Sequence, residues 1–103
     1  MKHNHLNIAA AQIAPVWCDR EATLGKVLEA TREAAEKGAD LVAFGEALLP
    51  GYPFWLSLTD GAKFDDDRQK ALFAHYADAA IVIEDGHLER LQNLAHPCRV
   101  SLR

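Results

Sequence analysis

Cysteine is scarce in this sequence: Cys18 and Cys98 are the two it has. Two thiols without metal-ligand spacing cannot make a disulfide framework, so both are read as reduced. A block of basic residues is missing as well. Lys and Arg number 11 against 15 Asp and Glu, a formal net charge of −4, so no run of cations tracks a phosphate backbone and nucleic acid is not an expected partner. No apolar run approaches the roughly 20 residues of a membrane-spanning helix. The first residues, Met1-Lys2-His3-Asn4-His5, carry no apolar signal core either. A membrane partner is therefore not expected, and a cytoplasmic location is. Repeats, linkers and low-complexity tracts are also lacking.

What is present is the composition of an ordinary globular domain, half hydrophobic and a quarter charged, in 103 residues. That length suits one small domain. Leu6 to Ile13 is short and nearly continuous in apolar residues, which predicts a strand buried on both faces. Asp19 then reads as an N-cap, Leu24, Val27, Leu28, Ala34 and Ala35 recur near helical spacing, and Gly38 reads as the stop. Leu41-Val42-Ala43-Phe44 is a second apolar run. Strand, helix and strand predict a parallel βαβ unit with a right-handed crossover, and so an α/β fold.

Downstream, Leu48 to Trp55 holds Pro50 and Pro53 among aromatics, which predicts a loop that walls a pocket. Asp65 to Ala80 predicts a helix with an acidic first turn and with Leu72, Phe73 and Tyr76 on its apolar side. Ile81 to Ile83 reads as a connector. Asp85 is expected to cap a further helix through about Ala95, ended by Pro97, and Val100-Ser101-Leu102 reads as a third strand.

Glu46 is the residue that stands out for chemistry. It directly follows a predicted parallel strand, and α/β proteins commonly place reacting groups at the carboxyl ends of such strands. Phe44, Ala47 and Leu48 are expected to surround its carboxylate with apolar groups, raising its pKa toward that of a useful general base, and Gly45 to leave room for a neighbour. On position alone the alternative stays open that Glu46 simply turns to solvent. Tyr52 offers a hydroxyl to Glu46 or to a ligand, with core packing as the competing reading, whereas Phe54 and Trp55 are expected to pack.

The run Phe44-Gly45-Glu46-Ala47-Leu48-Leu49-Pro50-Gly51-Tyr52-Pro53-Phe54-Trp55 resembles the segment around the first catalytic residue of nitrilases, within the carbon–nitrogen hydrolase superfamily. The likeness continues through Ala10-Ala11-Gln12-Ile13-Ala14-Pro15-Val16 and Lys37-Gly38-Ala39-Asp40-Leu41-Val42. By that resemblance, residues 1–103 are the amino-terminal part of a single domain with an α-β-β-α sandwich fold, incomplete here. The resemblance also implies a mechanism in which a cysteine attacks the substrate carbon, a glutamate is general base and a lysine stabilises the charged tetrahedral species. Glu46 matches the glutamate. The family's lysine, and its cysteine followed by Trp and Glu, are not found among these residues, so this chain alone is expected to be inactive.

The resemblance implies no metal and no organic cofactor, a small nitrile or amide as substrate, and self-association. Gly45 before the glutamate favours the nitrile-cleaving branch over the amidase and carbamoylase branch, whose members often carry proline there. A non-catalytic truncated remnant is a third reading. Cys98, between Pro97 and Arg99, lacks the Cys-Trp-Glu context, and Trp17-Cys18-Asp19 has the wrong order, so neither thiol is expected to be the nucleophile. His3 and His5 are read as a solvated terminus, and Asp65-Asp66-Asp67 as a cap and first turn in preference to a cation site.

Overall fold

A computed structural model of the chain describes residues 5–103. Three strands form one parallel sheet in the order β1-β2-β3: β1 is Ile8–Ala11, β2 is Leu41–Phe44 and β3 is Ser101–Leu102. The register sets Ile8 opposite Leu41, Ala11 opposite Phe44 and Val42 opposite Leu102. The predicted βαβ unit is therefore present, with β2 in the centre of the sheet.

The crossover helix, α1 (Arg20–Glu36), begins where the sequence marks it: the Asp19 carboxylate accepts from the Ala22 N–H at 3.1 Å. It closes at Gly38, whose φ of 88° is reached without the steric cost a Cβ would impose. One stripe of α1, with Leu24 and Val27, is buried against Leu91 of α4 (Glu89–Cys98), and Phe44, Leu48 and Leu102 pack onto the same cluster. Two polar residues on that stripe are fully buried without cost. Thr31 Oγ1 donates to the Val27 carbonyl at 2.7 Å, and Thr23 Oγ1 bridges Val16, accepting from its N–H at 3.0 Å and donating to its carbonyl at 3.1 Å.

Side chains alternate across a sheet, so Ala9, Ala11, Val42, Phe44 and Leu102 share the helix-covered face, while Ile8, Ala10, Leu41 and Ala43 share the other. That second face is open: Ile8 is 61% exposed and Ala10 is exposed. The expectation of a first strand buried on both faces is corrected by this, and the strand is also shorter than Leu6 to Ile13. Helices lie over one face alone.

Between β2 and α4 the chain forms α2 (Trp55–Leu58), a turn of helix inside the predicted loop, and α3 (Asp67–Asp78). Asp66 caps α3 by accepting from the Gln69 N–H at 3.1 Å. On the expected apolar side, Leu72 and Tyr76 are half-buried but Phe73 is exposed. Asp85 does not cap α4. It ends a short 3-10 turn, Ile83–Asp85, and α4 starts at Glu89 after Gly86, which takes a φ of 76°. Pro97 lies within the last turn of α4, where a missing N–H removes one hydrogen bond. The helix instead ends through Arg99, left-handed at φ 55°, with Val100 N–H donating to the Ala95 carbonyl at 3.2 Å.

The molecule is drawn out, 55 × 25 × 19 Å with a radius of gyration of 16.5 Å. A compact domain of this length would have a radius near ~13 Å.

Candidate active site

Glu46 lies two residues beyond the carboxyl end of the central strand. Phe44 and Leu48, expected to enclose its carboxylate, turn the other way and join the core cluster, leaving Glu46 and Ala47 exposed. Gly45 likewise faces open space, with nothing within 4 Å of where a Cβ would stand. The apolar enclosure read from sequence is thus absent, because the side chains that would have built it are worth more in the core. Among the described residues the Glu46 carboxylate makes no hydrogen bond or ion pair. Directly after it, Ala47 takes a φ of 54°, a left-handed conformation that costs a residue with a Cβ roughly 1–2 kcal/mol. Strain of this kind collects at functional sites.

After this bend the chain runs through Pro50, Gly51 and Tyr52 against the loop that joins β1 to α1. The Cys18 N–H donates to the Pro50 carbonyl at 2.9 Å, and the Trp17 indole N–H donates to the Tyr52 carbonyl at 3.0 Å. Gly51, buried and at φ 93°, sits so close to the Trp17 ring that a Cβ there would stand 2.6 Å from Cδ1. Tyr52 itself is 52% exposed, with its ring 5.4 Å from that of Phe54, and its hydroxyl does not reach Glu46. Trp55 packs as expected, facing Tyr76 edge-on at 6.3 Å. Phe54 does not pack; it is exposed. Phe54 and Trp55, with Ala14, Pro15, Trp17, Leu58 and Leu72, wall an open apolar groove of about 620 Å³. The aromatic loop does wall a groove, then, without Glu46 or Tyr52 among its lining residues.

The other sequence candidates fall into structural roles. Burial pushes the Cys18 thiol above its ordinary value of 9.0, the opposite of what activates a nucleophile. The Tyr76 hydroxyl is also raised from 10.0, first by burial and then by the charges of Cys18 and Tyr52. Asp65 pairs with Lys70, and Asp66 faces Lys63 at 3.6 Å while capping α3. Among the described residues no three His, Cys, Asp or Glu side chains gather to hold a metal ion, and no helix is long and apolar enough to cross a membrane. His3 lies outside the described residues. Sequence reasoning missed the part played by Trp17 and Gly51. A contact across 35 residues leaves no local pattern, although a glycine held between two prolines was a usable sign.

A parallel α/β sheet with a carboxylate just past its central strand defines a broad class of protein, and comparison with known proteins narrows it. The profile of the carbon-nitrogen hydrolase family matches residues 7–102. This chain belongs to that family. It is 45% identical over 65 residues to a protein named nitrilase 2 from an unknown prokaryotic organism, covering 63% of this chain and 21% of that relative. An arylacetonitrilase of Aspergillus niger is 32% identical over 102 residues, with 87% of this chain and 31% of the relative covered. An aliphatic nitrilase of Sinorhizobium fredii is 39% identical over 96 residues, with 91% of this chain and 30% of the relative covered. The chain thus spans 21% to 31% of the length of these curated relatives.

Proposed function

We propose that this chain is the amino-terminal part of a nitrilase-type hydrolase that converts a nitrile to a carboxylic acid and ammonia, with Glu46 as general base and Tyr52 contacting the substrate. The observation that carries this reading is the place of Glu46: past the end of the central parallel strand, beside a strained residue, and inside the segment that matches the family. In the implied chemistry a cysteine thiolate adds to the nitrile carbon. Water then displaces ammonia, leaving a thioester-like acyl-enzyme that a second water hydrolyses to the acid. A carboxylate serves this sequence by taking the thiol proton and then those of the attacking waters. The fold supports the reading too. In an α-β-β-α sandwich one face of each sheet meets helices and the other meets a second sheet, and here α1 and α4 cover one face while the face of Ile8 and Ala10 stays open.

The experiment is a fusion of the full 103-residue chain to the part of the Sinorhizobium fredii aliphatic nitrilase that follows the matched segment. Ammonia release is measured from paired nitriles and amides, with each half alone as a blank. The reading expects release from nitriles by the fusion and none from either half. A folded fusion active on amides alone would transfer the assignment to the amidase and carbamoylase branch, and a folded fusion inactive on both would refute it.

A further inference from the structure

The segment Pro50–Tyr52 is held from outside by the loop that joins β1 to α1, and that loop is itself anchored. Thr23, wholly buried on α1, bonds both the N–H and the carbonyl of Val16, so the backbone entering Trp17 is fixed to the core. From that anchor two hydrogen bonds reach across, Cys18 N–H to the Pro50 carbonyl and Trp17 indole N–H to the Tyr52 carbonyl. Between them the Trp17 ring covers Gly51 at a distance that excludes any side chain. Backbone at Tyr52 is therefore pinned while its side chain remains half exposed, with the Phe54 ring beside it. The half-exposed Tyr52 side chain gains a defined origin in this way, and positional precision in contacting groups is what substrate affinity responds to.

We propose that Trp17 is a positioning residue that sets the place of Tyr52 for substrate recognition. The inference rests on the reading of Tyr52 as a substrate-contacting residue. Trp17 acts here through the Tyr52 backbone carbonyl, to which its indole donates. Replacing Trp17 by Phe keeps an aromatic ring at this place while removing the indole donor and one of its two rings, and Tyr52→Phe removes only the hydroxyl.

The test measures nitrile hydrolysis in the fusion for W17F, Y52F and the double variant, together with hydrogen exchange in the full 103-residue chain. W17F is expected to raise KM by about 3- to 10-fold, the worth of one net hydrogen bond, with little change in kcat. The double variant should be no worse than the more impaired single one, because both changes act through the same group. Fully additive effects would overturn the proposal, as would an unchanged KM in W17F or a fall in kcat without a rise in KM. In hydrogen exchange, W17F should speed the amides of Cys18 and Phe54, which donate to the Pro50 and Tyr52 carbonyls, and leave α1 as it was. Equal acceleration throughout, or none, would overturn the clamp whether or not the fusion proves active. A folded fusion that is inactive while the exchange result holds would count against the nitrilase reading and against recognition by Tyr52, and would leave the clamp standing as a fact of the fold.

Discussion

Residues 8–44 with 89–102 hold together by burial, whereas residues 52–80 hold together by caps and polar ties. In the first region Leu24, Val27, Val42 and Leu91 are buried and two fully buried threonines are satisfied internally. In the second, Trp55, Gln69 and Ala79 are the buried residues, and Leu58, Phe64 and Phe73 stand out in solvent. Order there comes from Asp66 at the start of α3, from Gln69 Nε2 donating to the Thr59 carbonyl at 2.6 Å, and from the Arg20 guanidinium. That guanidinium donates to the Asp78 and Ala80 carbonyls at 2.9 and 2.7 Å, closing the end of α3. Burial scales with apolar area, while a hydrogen bond returns little net of the water it replaces. Trp17 lies in the buried region, exposed Glu46 with Pro50 and Gly51 lies on the stretch between the two regions, and the apolar groove belongs mostly to the second.

A matched pair of truncations should give the largest effects. Leu24→Ala removes a fully buried side chain from the cluster against Leu91 and should cost about 2–5 kcal/mol in urea unfolding. Leu58→Ala, at a side chain 80% exposed, should stay within about 0.5 kcal/mol. Equal losses would show that both regions rest on burial. A smaller effect is expected from Asp66→Ala, which deprives the Gln69 N–H of its cap and should cost about 1 kcal/mol, seen as faster exchange in α3 with α1 unchanged. Faster exchange in both helices would join the two regions into one cooperative unit.

Alkaline pH gives a third and gentler probe, because Cys18 and Tyr76 lie where the regions meet. Their folded pKa values are raised, so the native state holds its protons where the unfolded state has released them. The stability they contribute is complete below their ordinary values of 9.0 and 10.0 and is lost as pH rises through the higher folded values. The urea midpoint should therefore fall between pH 8 and about pH 11, and fall less in Cys18→Ala. An equal fall in both proteins would remove Cys18 from the account.

The buried region was also the more legible one in the sequence. Asp19, the spacing of Leu24 and Val27, and Gly38 define α1 because cap, stripe and stop are all local signals, and Leu41–Phe44 reads as a strand for the same reason. The open face of β1 was not legible, since alanines suit a covered and an uncovered face alike and what lies over them is decided elsewhere in the chain. Pro50 and Pro53 hid the short helix at Trp55, because proline at the entry to a helix forbids nothing beyond its own N–H. Asp85 misled because it is a good cap residue, and Gly86 in a left-handed turn moved the start of α4 past it. For the site, the position of Glu46 was readable, whereas its exposure was not, since that depends on Phe44 and Leu48 preferring the core.

The assignment of Glu46 as general base is tested most directly by Glu46→Gln in the fusion, with ammonia release from a nitrile measured at equal concentrations of folded protein. Gln keeps the shape and removes the proton acceptor, so turnover should fall at least about 100-fold while the urea midpoint stays put, as expected for an exposed side chain. Undiminished turnover in a folded Glu46→Gln protein would contradict the account.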